Sequence, residues 1–287
     1  MEYESEVKEV RRMFLDEYEA NKELYDEVDC KRIESDDFYV KRFIREKNGK
    51  ISDAFSMMNE AMKWRKEYGV NSLKHTDFPA EFFKIAELHN YVCDKNNIPQ
   101  IYCRVKLHKA LPEWREVYKK FIVYIVEQAE KEAAKKGTRW GIVFDCRDGD
   151  VFHVELDLNL FGVKTIFNYY PQAMEYIVVL DIPWILWAIY KIINSFIPAQ
   201  YRYLFVFVNK KQIKEKLGEN HIPYYVGGTC NTNCHLFYND CPSLEQVAET
   251  FQLKENAVKK MLGHYKKYLD EIDQNEKEKL KTSNNNF

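Results

Sequence analysis

No stretch of this sequence has the glycine spacing of a nucleotide-binding loop. Neither a G-x-G-x-x-G run nor a Walker phosphate loop is present, and no serine stands in a G-x-S-x-G elbow. No nucleophile with an activating base is recognisable, so the chain is not expected to be an enzyme, and no cofactor or metal ion is expected. Basic excess is missing too: 43 Lys and Arg against 45 Asp and Glu leave a formal net charge of −2, which gives nucleic acid no electrostatic footing. The seven cysteines form no disulfide-like framework. Met1 to Val10 are acidic and lack an apolar h-region, so no secretory signal is expected and the reducing cytosol is the expected compartment. There is no internal repeat.

What is abundant is apolar and aromatic side chain, 46% and 15% of 287 residues, enough to bury a substantial core. The most telling run lies between Pro183 and Pro198, where Trp184, Ile185, Leu186, Trp187, Ile189, Tyr190, Ile192, Ile193, Phe196 and Ile197 leave almost no polar face. A helix of that kind sits inside a protein or against lipid. Counted from Tyr176 the stretch reaches about 23 residues, the length of a membrane span. Asp181 and Pro183 break it instead into a strand, Tyr176 to Leu180, and a helix from about Trp184.

Upstream, residues 1–34 read as a charged, peripheral helical extension and 35–75 as a helical subdomain, with Ser52 as the expected N-cap of its second helix and Gly69 as its stop. From 76 to 229 strands alternate with helices. Ile101 to Val105, Ile142 to Phe144, Tyr176 to Leu180 and Tyr203 to Val208 are the strands; helices beginning near Trp114, Asp157 and Trp184 cross between them. That order predicts an α/β fold with a mainly parallel sheet. Residues 230–287 read as a loop and a charged C-terminal helix.

Other clusters have plainer readings. Cys230, Cys234, His235 and Cys241 lack the spacing of a zinc knuckle and read as ordinary thiols in a loop. Asp145, Arg147, Asp148 and Asp150 follow a strand, where α/β enzymes keep catalytic groups, but beside Gly149 they read as a solvated turn. Lys210, Lys211, Lys214 and Lys216 suit either anionic headgroups or a solvated helix face.

Taken in order, several of these pieces resemble the CRAL-TRIO family of lipid-exchange proteins. The resemblance is carried by Asp37, Arg42, Phe43, Arg45, Ala54, Trp64 and Arg65; by Val143, Phe144 and Asp145; by Tyr169, Tyr170 and Pro171; by Asp181, Ile182 and Pro183; and by Ile222, Pro223, Gly227, Gly228 and Thr229. It covers about residues 36 to 229. Within the family the sequence is most similar to the N-terminal domain of the motile sperm domain-containing proteins. Those relatives carry a further β-sandwich module and a membrane anchor, which this sequence does not show, so their tether to partner proteins is not carried over and protein partners stay unassigned.

The resemblance implies a mainly parallel sheet floor with helices on one face and a mobile apolar gate helix over a lipid cavity. The expected cavity residues are Tyr102, Val105, Ile142, Phe144, Ile177, Val179, Phe205 and Phe207, and the expected gate and membrane residues are Trp184, Ile185, Trp187, Ile189 and Phe196. In the phosphatidylinositol-binding branch an acidic residue follows the Tyr-Pro motif, with a basic one behind it, and a lysine opens the strand after the gate. Here Gln172, Ala173 and Tyr203 stand at these places, with Arg202 adjacent. Gln172, Arg202 and Tyr203 are therefore the headgroup candidates, and phosphatidylinositol held in that family's manner is not expected. The expected function is a cytoplasmic, peripheral-membrane carrier that takes a phospholipid or other small hydrophobic molecule into its cavity and exchanges it with membranes. The alternative is a lipid-regulated adaptor or sensor that binds partners through its charged ends, 1–34 and 243–281.

Overall fold

The structure is a computed structural model and describes residues 2–284, with side-chain surroundings through 275. Four helices open the chain: α1 (Glu4–Ala20), α2 (Glu27–Ser35), α3 (Asp37–Glu46) and α4 (Ile51–Tyr68). Asp26 and Asp36 cap α2 and α3 by accepting the backbone N–H groups of Val28 and Tyr39. The expected cap of α4 is displaced: Lys50 holds the N-cap position and Ser52 lies inside the first turn, while Gly69 ends the helix in the left-handed conformation (φ 74°). Val10, Phe14, Ile33, Phe43, Met58 and Met62 are fully buried in one cluster shared by all four helices, so residues 4–68 form a single helical unit.

The body follows in the order α5 (Ala80–Ile85), β1 (Leu88–Tyr91), β2 (Gln100–Arg104), α6 (Arg115–Lys136), β3 (Trp140–Asp145), α7 (Leu156–Tyr169), β4 (Met174–Leu180), α8 (Leu186–Ser195), β5 (Phe205–Val208), α9 (Lys210–Leu217), α10 (Leu244–Thr250) and α11 (Glu255–Asn284). The five strands lie in chain order. β1 pairs antiparallel with β2, and the remaining neighbours are parallel, each joined through a crossover helix. The expected strands are present with small shifts at their ends: Val105 has turned into a 3-10 segment, and residues 199–204 form another before β5 begins at Phe205. β1 had no expectation, because Leu-His-Asn-Tyr has neither alternation nor a branched run.

Alternation sorts the strand residues between two apolar layers. Ile101, Ile142, Ile177 and Val179 face the side covered by α6, α7 and α8, while Tyr102, Val143, Val178 and Leu180 face Ile213 and Leu217 of α9 together with Ile222 and Val226. Trp140 pairs with Met174 but Gly141 pairs with Tyr176, so Glu175 is an extra residue in β4. That bulge lets Met174 and Ile177, three apart, share a face. Gly141 admits the Tyr176 ring, since a Cβ at 141 would lie 2.1 Å from it.

Buried ion pairs join the helical unit to the body. Arg42 forks onto Glu130 of α6 (2.8 and 3.1 Å) and donates to the Pro171 carbonyl at 2.9 Å. Arg65 reaches Glu127 at 2.7 Å and Asp29 at 2.9 Å, while the Tyr170 hydroxyl donates to Glu127 at 2.6 Å. Trp64 stacks on Tyr169 with ring centroids 4.1 Å apart. The C-terminal helices are part of the core as well: Met261 and Tyr265 of α11 are fully buried, and the Trp114 indole N–H donates to the Ala257 carbonyl.

Candidate functional site

Between the sheet and its three helices lies a cavity of about 240 Å³. Its floor is Ile101, Cys103 and Val105 after them, Ile142, Phe144 and Cys146, then Met174, Ile177, Val179 and Phe205. These positions come from four adjacent parallel strands and from the residues just after β2 and β3. The walls are Ile122, Ile125 and Val126 of α6, and Leu158, Val163, Ile166 and Phe167 of α7. Gly162 of α7 also borders it, and a Cβ at that position would meet nothing within 4 Å. The thiols are held neutral: burial raises Cys103, and it raises Cys146 to about 12.

The roof is α8 with its flanking turns. Leu186, Ile189, Tyr190, Ile193 and Ile197 line the cavity at the i, i+3, i+4, i+7 spacing of one helix face. The other face is apolar and bare. Trp184 is 84% exposed, Phe196 50%, Ile192 47% and Trp187 38%, next to Tyr203 at 69%. Asp181 takes a left-handed conformation (φ 45°) where the chain leaves β4, a turn that Asp tolerates, and Pro198 follows the helix at its other end. Among the described residues no helix is long and apolar enough to cross a membrane.

Six of the eight expected cavity residues, Val105, Ile142, Phe144, Ile177, Val179 and Phe205, come together in this lining. Two do not. Tyr102 has the opposite parity in β2, is fully buried in the other layer and donates to Gln100 Oε1 at 3.1 Å. Phe207 shares the cavity face but lies at its margin, stacked against Trp187 at 4.8 Å and edge-on to Tyr190. Of the expected gate residues, Ile189 lines the cavity, Ile185 packs against the core beside it, and Trp184, Trp187 and Phe196 face outward. The headgroup candidates are not in the lining. Gln172 donates to Glu46 at 2.8 Å, in a site that Gln200 and Tyr201 also bond, while Arg202 and Tyr203 lie on the surface.

Asp145 is buried and holds Arg147 through two contacts of 2.7 Å; Asp148 pairs with Lys106; Asp150 accepts the Phe152 N–H. The Cys/His segment does not converge, for His235 Nδ1 bonds the Lys84 carbonyl and Cys241 lies instead with His75 and Asp240. On α9, Ile213 and Leu217 turn inward and Lys214 pairs with Glu219. Residue-by-residue reading missed the polar lining of the cavity, Glu87, His108, Tyr118, His153 and Asn159, which is assembled from four separate parts of the chain.

Comparisons with known proteins agree with this geometry. A sequence model of the CRAL/TRIO domain matches residues 84–228, the segment from α5 to the end of the second apolar layer. A CRAL-TRIO domain-containing protein of Schizosaccharomyces pombe is 23% identical over 255 residues, covering 82% of this chain and 56% of its own length. Phosphatidylinositol transfer protein CSR1 of Eremothecium gossypii is 24% identical over 233 residues, covering 75% and 51%. The chain thus spans about half the length of these curated relatives. The crystal structure of Sfh5 has the same fold, with a TM-score of 0.61 at 16% identity, over 88% of this chain and 98% of that one. With a family match over half of its residues, the chain belongs to the CRAL-TRIO domain family.

Proposed function

We propose that the protein is a carrier that docks transiently on a membrane surface, swings α8 aside, takes one lipid or other small hydrophobic molecule into the cavity and closes over it. The observation that carries this reading is the division of α8 into an inward apolar stripe and an outward face of bare aromatic and aliphatic side chains. The inward stripe replaces lipid contacts: leaving a chain in water costs about 0.8 kcal/mol per methylene, so a carrier must cover most of its length. The outward face suits the headgroup level of a bilayer, where Trp and Tyr rings are favoured.

In this reading the protein works at the cytoplasmic face as a peripheral membrane protein, without enzymatic chemistry, and a phospholipid is the leading ligand class. The use of Gln172 on Glu46 supports a ligand other than phosphatidylinositol held in the way of that family branch. The adaptor alternative, with partners bound through the charged helical ends, has no feature of its own in its favour: Val10 and Phe14 at one end and Met261 and Tyr265 at the other pack those helices into the fold. The test is transfer of a fluorescent phospholipid between vesicles by the full chain. The Trp184→Ala, Trp187→Ala double variant should transfer more slowly with an unchanged circular dichroism spectrum; transfer at the wild-type rate would remove the gate assignment.

A further inference from the structure

One end of the cavity is polar. Glu87, just before β1, is buried there, and both of its carboxylate oxygens are occupied: Oε1 accepts His108 Nδ1–H at 2.7 Å, and Oε2 accepts the hydroxyls of Tyr118 at 3.1 Å and Tyr265 at 3.3 Å. The two tyrosine hydroxyls are 2.6 Å apart. The cluster is closed except at one atom. His108 is 7% exposed, borders the cavity, and its Nε2 has no hydrogen-bond partner among the described residues. Buried polar atoms are nearly always paired with protein, water or ligand, so an unpaired one on a residue that borders a cavity is a place for such a partner. His89 Nδ1, Arg104 Nε and Glu155 Oε2 also lack partners, but none of those residues lines the cavity. The other polar lining groups are engaged: Asn159 donates to the Glu155 carbonyl and His153 Nδ1 accepts the Asp150 N–H.

The chemistry of the missing partner follows from charge. Among the described lining residues Glu87 is the only carboxylate, and it already pairs with His108; Glu155, outside the lining and paired with Arg115, acts on His108 in the same sense and more weakly. Burial works against the His108 imidazolium, the adjacent Glu87 carboxylate outweighs it, and the proton is held more firmly than on a free histidine. The free Nε2 position is an N–H donor on the charged ring and a lone-pair acceptor on the neutral Nδ1–H ring, and a hydroxyl can complete either. A second anion brought to that end would leave a net negative charge between apolar walls, whereas an uncharged oxygen completes the hydrogen bond and adds no charge.

We propose that His108 Nε2 is the recognition point of the cavity and that it selects a hydrophobic molecule whose buried end carries an uncharged oxygen, a hydroxyl or a carbonyl, over one that carries a carboxylate or phosphate there. This rests on the carrier reading. The experiment compares dodecan-1-ol, dodecanoate and dodecane as competitors for a fluorescent hydrophobic probe bound to the delipidated full chain. The alcohol should bind about tenfold more tightly than either of the others. His108→Leu should bring its affinity down to that of the alkane and leave alkane binding unchanged. His108→Asn keeps a donor toward Glu87 while removing the Nε2 position, and gives the same result if the leucine variant does not fold. Equal affinities unaffected by either substitution, tighter binding of dodecanoate, or failure of the alcohol to displace the probe would overturn the recognition point and leave the carrier standing; a delipidated chain that binds no hydrophobic probe and transfers no phospholipid would overturn the carrier reading and this inference with it.

Discussion

Trp184 and Trp187 sit three residues apart on the roof of the cavity, yet the structure assigns them different work, and their alanine variants should differ accordingly. Trp184 is 84% exposed, so about 170 Å² of a side chain that buries roughly 200 Å² is free to enter a bilayer. At about 25 cal/mol per Å² the ceiling is about 4 kcal/mol, and half-immersion at the headgroup level leaves about 2 kcal/mol, or roughly 30-fold in partitioning. Trp187 is 38% exposed and stacked on Phe207 with ring centroids 4.8 Å apart. The same arithmetic leaves it about 1 kcal/mol, roughly fivefold, on the membrane side. Its loss also removes an aromatic pair worth about 1 kcal/mol to folding. Sedimentation with phosphatidylcholine vesicles over a lipid titration, paired with thermal melts, reads both quantities. Trp184→Ala should weaken vesicle binding more, and Trp187→Ala should lower the melting temperature more. Vesicle binding by Trp184→Ala within twofold of wild type would refute the reasoning, because no side chain of α8 itself exposes as large an area.

Arg42→Met leaves the Glu130 carboxylate buried at 2% exposure and should cost about 3–5 kcal/mol in urea unfolding, while adding Glu130→Met should restore a large part of it. Burial alone would raise the Glu130 carboxyl, but Arg42, Arg32 and the Trp140 N–H bring it down to about 2 from an ordinary 4.5. A depressed carboxyl stabilises the fold above its unfolded value and loses that contribution as pH falls through the folded one, so about 3 kcal/mol should disappear between pH ~4.5 and pH ~2. Acid titration of the circular dichroism signal checks this, and the Glu130→Met background should lack that share of the loss. Gly162→Leu places a side chain in open cavity space and replaces a helical glycine; it should keep or raise the melting temperature, by up to about 1 kcal/mol of stability, while reducing ligand uptake.

How far the sequence could be read depended on whether a residue's partners are local. The roof helix was legible because a run apolar on all sides leaves few alternatives, and the crossover order followed from the spacing of strands and helices. Faces were harder. Gln-Ile-Tyr-Cys-Arg is buried on both sides through its first three residues, so nothing in it said that Ile101 rather than Tyr102 looks into the cavity. In β4 the bulge at Glu175 shifts the parity of Met174 against Ile177, which a strict period of two cannot show. Arg42 and Arg65 were noticed as family residues, but their role as clamps depends on Glu130 and Glu127, 88 and 62 residues away. The polar end of the cavity had no local signal at all: Tyr265 meets Glu87 across 178 residues. The place of the headgroup candidates outside the lining also depends on a distant partner, since Gln172 bonds Glu46 of α3.

The central claim, that the space between the sheet and α8 holds a hydrophobic molecule, is tested most directly by native mass spectrometry of the full chain after incubation with a mixed cellular lipid extract. Gly162→Leu serves beside it as the cavity-filling variant, and Gly263→Leu, on an exposed position of α11 with equal room for a side chain, as the control. The account predicts one bound lipid per chain for the wild type and for Gly263→Leu, and a sharply reduced fraction for Gly162→Leu. A wild-type chain that stays empty, or a bound lipid indifferent to Gly162→Leu, would contradict it.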